Sequence, residues 1–268
     1  MTVTVVAHRG LMNGTAENTI AAIEAAVARG VDAVEVDLRS TSDGQLVVMH
    51  DETVDRTTNG IGAVANLALS DIRSLDTRDP LSAGLTGERV PTYHEVLEAV
   101  RNTRTQIVAD IKNVTESLRR GLLSDAKAMK ALDRLIVAPR TAGEVAAFKK
   151  LDPGVTVLGL LPGRSDVPSA AAADIAAFLE GGADILRFWP SSILDNEQQV
   201  LPLAAELLAG EIPVWTCADT LYGDISVKEP ERDLRALIAA GVAGIMTNLP
   251  ELLLEVIGGE GHPTTQRT

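Results

Sequence analysis

Apolar positions follow two rhythms along the whole chain. Short β-branched runs at residues 3–6, 33–38, 46–49, 106–111, 135–138, 156–160, 184–188, 212–216 and 244–247 read as strands. Between most of them the spacing changes to that of a helix. Ile20, Ile23 and Val27 make one stripe. Tyr93, Val96, Leu97 and Val100 make another, opened by Thr92 with Glu95 as a capping box. Further helices are predicted over 115–131, 142–150, 168–180, 196–209, 230–240 and 251–257, with Gly30, Gly181 and Gly241 at helix stops.

Alternating strands and helices imply an α/β fold with a parallel sheet and the helices outside it. Nine strand-like runs are one more than a (β/α)8 barrel needs. Between Leu38 and Leu46 there is no room for a crossover helix, which takes about a dozen residues. That link holds Asp43-Gly44, a hairpin signal. Residues 46–49 are therefore the returning arm of a hairpin rising from the second barrel strand. The remaining eight runs predict a TIM barrel of ordinary length. Residues 52–91 are polar and rich in turns such as Asn59-Gly60 and Asp79-Pro80, and read as a small insertion capping the barrel mouth. The expected organisation is one domain over 1–258 and a frayed tail over 259–268.

Composition narrows the function classes. With 46% hydrophobic and 23% charged residues over 268 positions, the chain is an ordinary globular sequence. Aromatics are only 3%, so the core must be built from Val, Leu, Ile and Ala. No apolar run is long enough to cross a bilayer. Lys plus Arg number 24 against 37 Asp plus Glu, a net charge of −13 that repels nucleic acid and anionic membranes. An anionic small-molecule substrate would need a local counter-charge, which a bound cation would supply. Cys217 is the single cysteine, so no internal disulfide forms. The start MTVTVVAHRG lacks the basic and long apolar regions of a signal peptide, which makes the cytoplasm the expected compartment.

Active sites of TIM barrels lie at the C-terminal ends of the strands. The first strand runs into His8-Arg9-Gly10. The second carries Glu35 and Asp37, two apart and so on one face. Val34 and Val36 then face the helices, and the carboxylates face the barrel interior. Asp110 and Lys112 repeat that spacing on the next barrel strand. Three hard oxygen donors without a Cys cluster suit Mg²⁺ or Ca²⁺ rather than zinc. A structural ion-pair network with Lys112 as counter-ion fits the same spacing, and both readings stand. His8 and His50 each follow an apolar strand and suit general acid–base work. Arg9 can hold an anionic oxygen through its planar fork. Asn18 is either an N-cap or, with Glu17, a group reaching the site from above. Arg187 and Trp189, around the end of strand 184–188, either touch the alcohol portion of a substrate or pack under the mouth. His94, on a solvated helix turn, and His262, in the tail, are set aside. The constellation points to metal-assisted attack on an anionic ester, with a phosphoester as the natural candidate.

The run His8-Arg9-Gly10, Glu17-Asn18-Thr19, Glu35-x-Asp37, Asp43-Gly44, His50-Asp51 and Arg56-Thr57-Thr58-Asn59-Gly60-x-Gly62 resembles the glycerophosphodiester phosphodiesterase family. A looser likeness continues through Val90-Pro91-Thr92, Asp110-Ile111-Lys112, Trp215-Thr216 and residues 241–250. The resemblance implies hydrolysis of a glycerophosphodiester to glycerol 3-phosphate and an alcohol, with one divalent cation, Mg²⁺ or Ca²⁺. It implies that His8 and His50 are the acid–base pair and that Glu35, Asp37 and Asp110 ligate the metal. It also implies that Arg9 contacts the phosphate. Lys112, Glu17, Asn18 and Trp215 are expected in the substrate site. Departures from the family pattern are Asp110 where Glu is usual, Ala16 where Pro is usual, Asn248 in place of Asp, and Pro139-Arg140 in place of Ser-Phe. Two alternatives remain. One is a related barrel cleaving lysophospholipids or sugar-phosphate diesters, with Leu81, Leu85, Phe188 and Trp189 forming an apolar channel. The other is a phosphodiester-binding barrel without catalysis, against which the paired histidines argue.

Overall fold

The computed structural model describes residues 3–78, 84–112, 115–161, 168–195, 197–218 and 230–259. The chain opens with β1 (Thr4–His8), α1 (Ile20–Ala28), β2 (Ala33–Ser40) and β3 (Leu46–Val48). The insertion follows with α2 (Leu69–Arg73), β4 (Asp76–Arg78) and β5 (Leu85–Arg89). Next come α3 (Tyr93–Ala99), β6 (Gln106–Ile111), α4 (Glu116–Ala128), β7 (Leu135–Ala138) and α5 (Ala142–Leu151). The chain continues through β8 (Thr156–Leu160), α6 (Pro168–Glu180), β9 (Ile185–Phe188), α7 (Pro202–Leu208), β10 (Val214–Ala218), α8 (Pro230–Ala240), β11 (Gly244–Thr247) and α9 (Pro250–Gly259).

Eight parallel strands close a barrel in the order β1, β2, β6, β7, β8, β9, β10, β11, with β11 pairing back to β1. This is the expected TIM barrel. β3 lies antiparallel on β2, with Leu38 opposite Val48 and Ser40 opposite Leu46, so the ninth run is the hairpin return. Gly44 takes the left-handed conformation that its tight turn needs, at φ 78°.

Several boundaries move for local reasons. β10 begins at Val214 rather than at residue 212, because Pro213 has no N–H to donate to the ladder. α7 begins at Pro202 rather than at residue 196; a Leu194–Val200 bridge occupies the preceding residues, and proline favours the first helical turn. Gly30 and Gly241 end their helices at positive φ, but Gly182 rather than Gly181 does so after α6. α9 extends through Gly259, and the remaining tail, with His262, lies outside the described residues.

The two-residue strand period divides the apolar side chains into two cores. Val34, Val36 and Leu38 on β2, with Ile107 and Ile111 on β6, pack outward against the helices. Val6, Ala33, Val108, Ile136, Leu158, Ile185 and Trp215 fill the barrel interior. The insertion has a separate small core of Val47, Met49, Val54, Val64, Ile72 and Val90. Thr19, Thr92, Thr115 and Thr141 cap α1, α3, α4 and α5, each accepting a bond from a backbone N–H of the first turn. Thr92 and Glu95 form the reciprocal box expected from the sequence.

Candidate active site

The inward positions of the strands carry the polar groups at one end of the barrel. On β2 the inward run is Ala33, Glu35, Asp37 and Arg39. Glu35 stands beside His8 of β1, and Asp37 beside Asp110 of β6. One oxygen from each of Glu35, Asp37 and Asp110 lies within 4.8 Å of the others. Glu35 and Asp37 are each only 1% exposed. Burial of three carboxylates this close is strongly unfavourable without positive charge.

Part of that charge comes from the protein. Lys112 Nζ lies 2.6 Å from Asp37 Oδ1 and 2.5 Å from Asp110 Oδ2. Arg140 Nη2 donates to Asp110 Oδ2 at 2.6 Å. Arg9 Nε lies 3.2 Å from Asp37 Oδ2. Burial alone would push the Asp37 carboxyl up, but Lys112 and then Arg9 outweigh it and hold the group well below the usual carboxylate range. Glu35 fares differently. It accepts the backbone N–H of Arg9 at 3.1 Å and lies 3.7 Å from His8 Nε2. Burial first, and Asp37 second, push its carboxyl up to about 7; His8 and then Lys112 oppose the shift without cancelling it. Asp110 Oδ1 is buried without a hydrogen-bond partner. An under-compensated carboxylate and an orphaned carboxylate oxygen in one cluster fit a hard divalent cation. Lys112 spans two of the three acids and forms no ion pair with Glu35 among the described residues.

The loop after β1 locks this arrangement. Arg9 and Asn18 both adopt positive φ, at 60° and 58°. Asn18 N–H donates to the Arg9 carbonyl at 2.9 Å, closing the loop. Gly10 follows at φ 90°, where a Cβ would sit 2.7 Å from the Ala22 backbone. Asn18 Nδ2 donates to Asp37 Oδ2 at 2.8 Å, and Arg9 Nη1 donates to Glu17 Oε1 at 2.9 Å. Glu17 and Asn18 thus hold Arg9 and Asp37 from behind. N-cap duty falls to Thr19 instead.

His50 arrives on the hairpin, just past β3. Arg39 donates from Nε and Nη2 to the His50 carbonyl at 3.0 and 2.8 Å, tying the hairpin to the barrel. His50 Nδ1 lies 2.7 Å from Asp51 Oδ1. Arg56 bridges Asp51 and Glu17, with Nε to Asp51 Oδ2 at 2.6 Å and Nη1 to Glu17 Oε2 at 2.8 Å. The Arg56 bond holds the Asp51 carboxyl down to about 2. An ionised Asp51 only accepts, so Nδ1 of His50 donates and Nε2 is its basic nitrogen. Burial lowers the His50 pKa below the ordinary histidine value, although Asp37 opposes the shift. His8 Nδ1 meets Asn248 Oδ1 at 3.1 Å across the β1–β11 seam.

His8, Arg9, Glu35, His50, Asp110 and Lys112 line one cavity of about 310 Å³. Arg187 and Trp189, expected at this end, line it too. Trp215 does not. It lies deeper, 4% exposed, its indole against Gly244, where a Cβ would come within 2.7 Å of the ring. The ring fills the barrel floor, and Cys217, two residues nearer the mouth, takes the place expected of it. Phe188 packs in the outer core rather than in a channel. Leu81 lies outside the described residues, and so does the side chain of Leu85. In the sequence, Arg39 was not singled out, Arg56 was named only within a motif, and Arg140 and Asn248 were named only as departures from the family pattern, without their partners. Arg39 was readable, since it stands two residues after Asp37 on the same face. Arg140 meets Asp110 from just past the neighbouring strand β7, Asn248 meets His8 through the barrel closure, and Arg56 meets Glu17 through the insertion.

This geometry can be compared with known proteins. The model of the glycerophosphoryl diester phosphodiesterase family matches residues 8–252. A glycerophosphodiester phosphodiesterase of Caldanaerobacter subterraneus subsp. tengcongensis is 30% identical over 262 residues, covering 94% of this chain and 97% of that protein. A phosphodiesterase of Oleispira antarctica, solved in complex with the product sn-glycerol-3-phosphate, superposes with a TM-score of 0.77 at 22% identity, over 95% of this chain and 96% of its own. A glycerophosphoryl diester phosphodiesterase of Parabacteroides distasonis gives 0.79 at 19% identity, over 98% and 88%.

Proposed function

Because the chain belongs to the glycerophosphoryl diester phosphodiesterase family, we propose that it hydrolyses glycerophosphodiesters to glycerol 3-phosphate and an alcohol, by metal-assisted attack with His8 and His50 moving the protons. The observation that carries this reading is the joining of the carboxylate cluster and both histidines in one cavity. Glu35, Asp37 and Asp110 would hold one divalent cation, Mg²⁺ or Ca²⁺. Such an ion supplies Lewis acidity to the phosphoryl oxygens and lowers the pKa of an attacking hydroxyl.

The protein's own groups do the rest. Arg9 and Lys112 present positive charge to the remaining phosphate oxygens. His50, kept toward its neutral form by burial and oriented by Asp51, takes at Nε2 the proton of the attacking water, or of the vicinal glycerol hydroxyl, in which case a cyclic phosphate forms and water opens it in a second step to glycerol 3-phosphate. His8 delivers a proton from Nε2 to the departing oxygen. Arg56 and Glu17 act at one remove, fixing Asp51 and Arg9. Arg56 comes from the segment read as a capping insertion and ties Asp51 to Glu17.

The test is hydrolysis by chelator-stripped protein titrated with Mg²⁺ and with Ca²⁺. The panel comprises glycerophosphocholine, glycerophosphoethanolamine, glycerophosphoglycerol and a lysophospholipid. Metal-dependent release of glycerol 3-phosphate is expected from the deacylated diesters. A rate unaffected by chelation would overturn the metal assignment. Near-normal turnover in both His8→Ala and His50→Ala would overturn the acid–base pair.

A further inference from the structure

Counting around the barrel from β2 through β6, β7 and β8, the fourth strand is β9, which therefore stands across from the strand bearing Glu35 and Asp37. Its inward position near the mouth is Arg187, which is 8% exposed. The other cations of the cavity are engaged by acids: Arg9 by Glu17 and Asp37, Lys112 by Asp37 and Asp110, Arg140 by Asp110. Arg187 meets no carboxylate among the described residues. Its side chain there bonds from Nη1 to Cys217 Sγ at 3.8 Å, and its Nε is buried with no hydrogen-bond partner. In a chain of net charge −13, a buried guanidinium without an acid partner is costly unless something negative meets it. The guanidinium is stacked 4.5 Å from the centre of the Trp189 ring, which leaves its planar fork as the donor edge.

We propose that Arg187, seated on Trp189, is a leaving-group subsite selecting alcohols that carry a second negative charge, a phosphoryl or carboxylate group. This inference rests on the phosphodiesterase reading above. With the scissile phosphate at the carboxylate cluster, the opposite wall faces one of the two organic halves of the substrate. Glycerol is neutral and gives a buried cation nothing to pair with. The variable alcohol can carry an anion, and a guanidinium fork matches two oxygens of a phosphate or carboxylate. Choline or ethanolamine would place a cation against Arg187. The Trp189 face that could receive such a cation is already covered by the guanidinium.

The experiment compares kcat/KM in the metal-loaded enzyme for matched substrates. Glycerophosphoglycerol is the neutral reference, bis(glycerophospho)glycerol adds a second phosphate, glycerophosphoglycerate adds a carboxylate without an ammonium, and glycerophosphocholine is the cationic arm. The wild type is expected to prefer an anionic arm over the neutral one by roughly tenfold to a hundredfold, the range of a hydrogen-bonded charge contact. Whether the phosphate or the carboxylate arm gains more identifies the group. Arg187→Gln should bring that ratio to about one, and Arg187→Lys should retain part of it. Hydrolysis of glycerophosphoglycerol without any anionic preference in the wild type overturns this subsite and leaves the phosphodiesterase reading intact. An anionic preference that survives in Arg187→Gln also overturns it. Failure to hydrolyse any of the four diesters overturns both. If Arg187→Gln fails to fold, Arg187→Lys carries the same comparison, and an unchanged anionic preference in it overturns the subsite.

Discussion

The two halves of the barrel mouth are built on opposite principles. The wall of β1, β2 and β6 is a closed ionic lattice: Glu17, Arg9, Asp37, Lys112 and Asp110 follow one another at ion-pair distances, with Arg56 and Asp51 extending the chain to His50. The facing wall of β8 to β11 is lined by Leu160, Cys217 and Met246, with Arg187 as its charged member. On the first wall each group is held by the next, so a substitution strands a buried partner. On the second, side chains other than Arg187 touch mostly apolar atoms, so their substitution changes shape and little else. On the proposed function, the difference would separate the part of the site that performs chemistry from the part that selects among alcohols.

The sharpest way to break this contrast is Asp37→Ala. It leaves Lys112 with Asp110 alone and Arg9 with Glu17 alone, and is expected to cost about 1–3 kcal/mol of stability as well as activity. Urea unfolding beside a turnover assay checks it; a loss of activity with unchanged stability would show that the lattice is not structural. Next in size are His8→Ala and His50→Ala, each expected to lower kcat by about 10²–10⁴-fold with little change in Tm.

A smaller effect lies in pH dependence. Burial holds the His50 pKa below its free value, so its neutral, proton-accepting form persists to lower pH. The acid limb of kcat/KM is therefore expected below the ordinary histidine value of about 6.5. Asp51 carries the matching stability term. Its folded value of about 2 lies under the unfolded one, so its contribution is complete above the unfolded pKa and is lost as pH falls through 2. Acid titration of Asp51→Asn against the wild type measures it. The mildest change is on the facing wall: Cys217→Ser should leave the ionic lattice and Tm nearly unaltered, as thermal unfolding would show.

The barrel was readable because its signals are local. The strand period, the Asp43-Gly44 turn and the Thr92–Glu95 cap each declare themselves within a few residues. The inward pairing of Glu35 with Asp37 and of Asp110 with Lys112 follows from the same period, and the structure places them in one cluster. What was not readable depends on distant chain segments meeting. Arg140 reaches Asp110 from the neighbouring strand, and Arg56 reaches Glu17 from the insertion, 39 residues away. Trp215 was misplaced for a related reason. Its depth is set by register against Gly244, which strand spacing alone does not reveal.

With the Trp215 indole seated over Gly244, the barrel is stoppered at its base. On the proposed function, and among the described residues, reactant, water and both departing molecules would then pass through the mouth rather than the floor. The fragment nearest the rim would then leave before the one beneath it, and a later arrival would wait its turn.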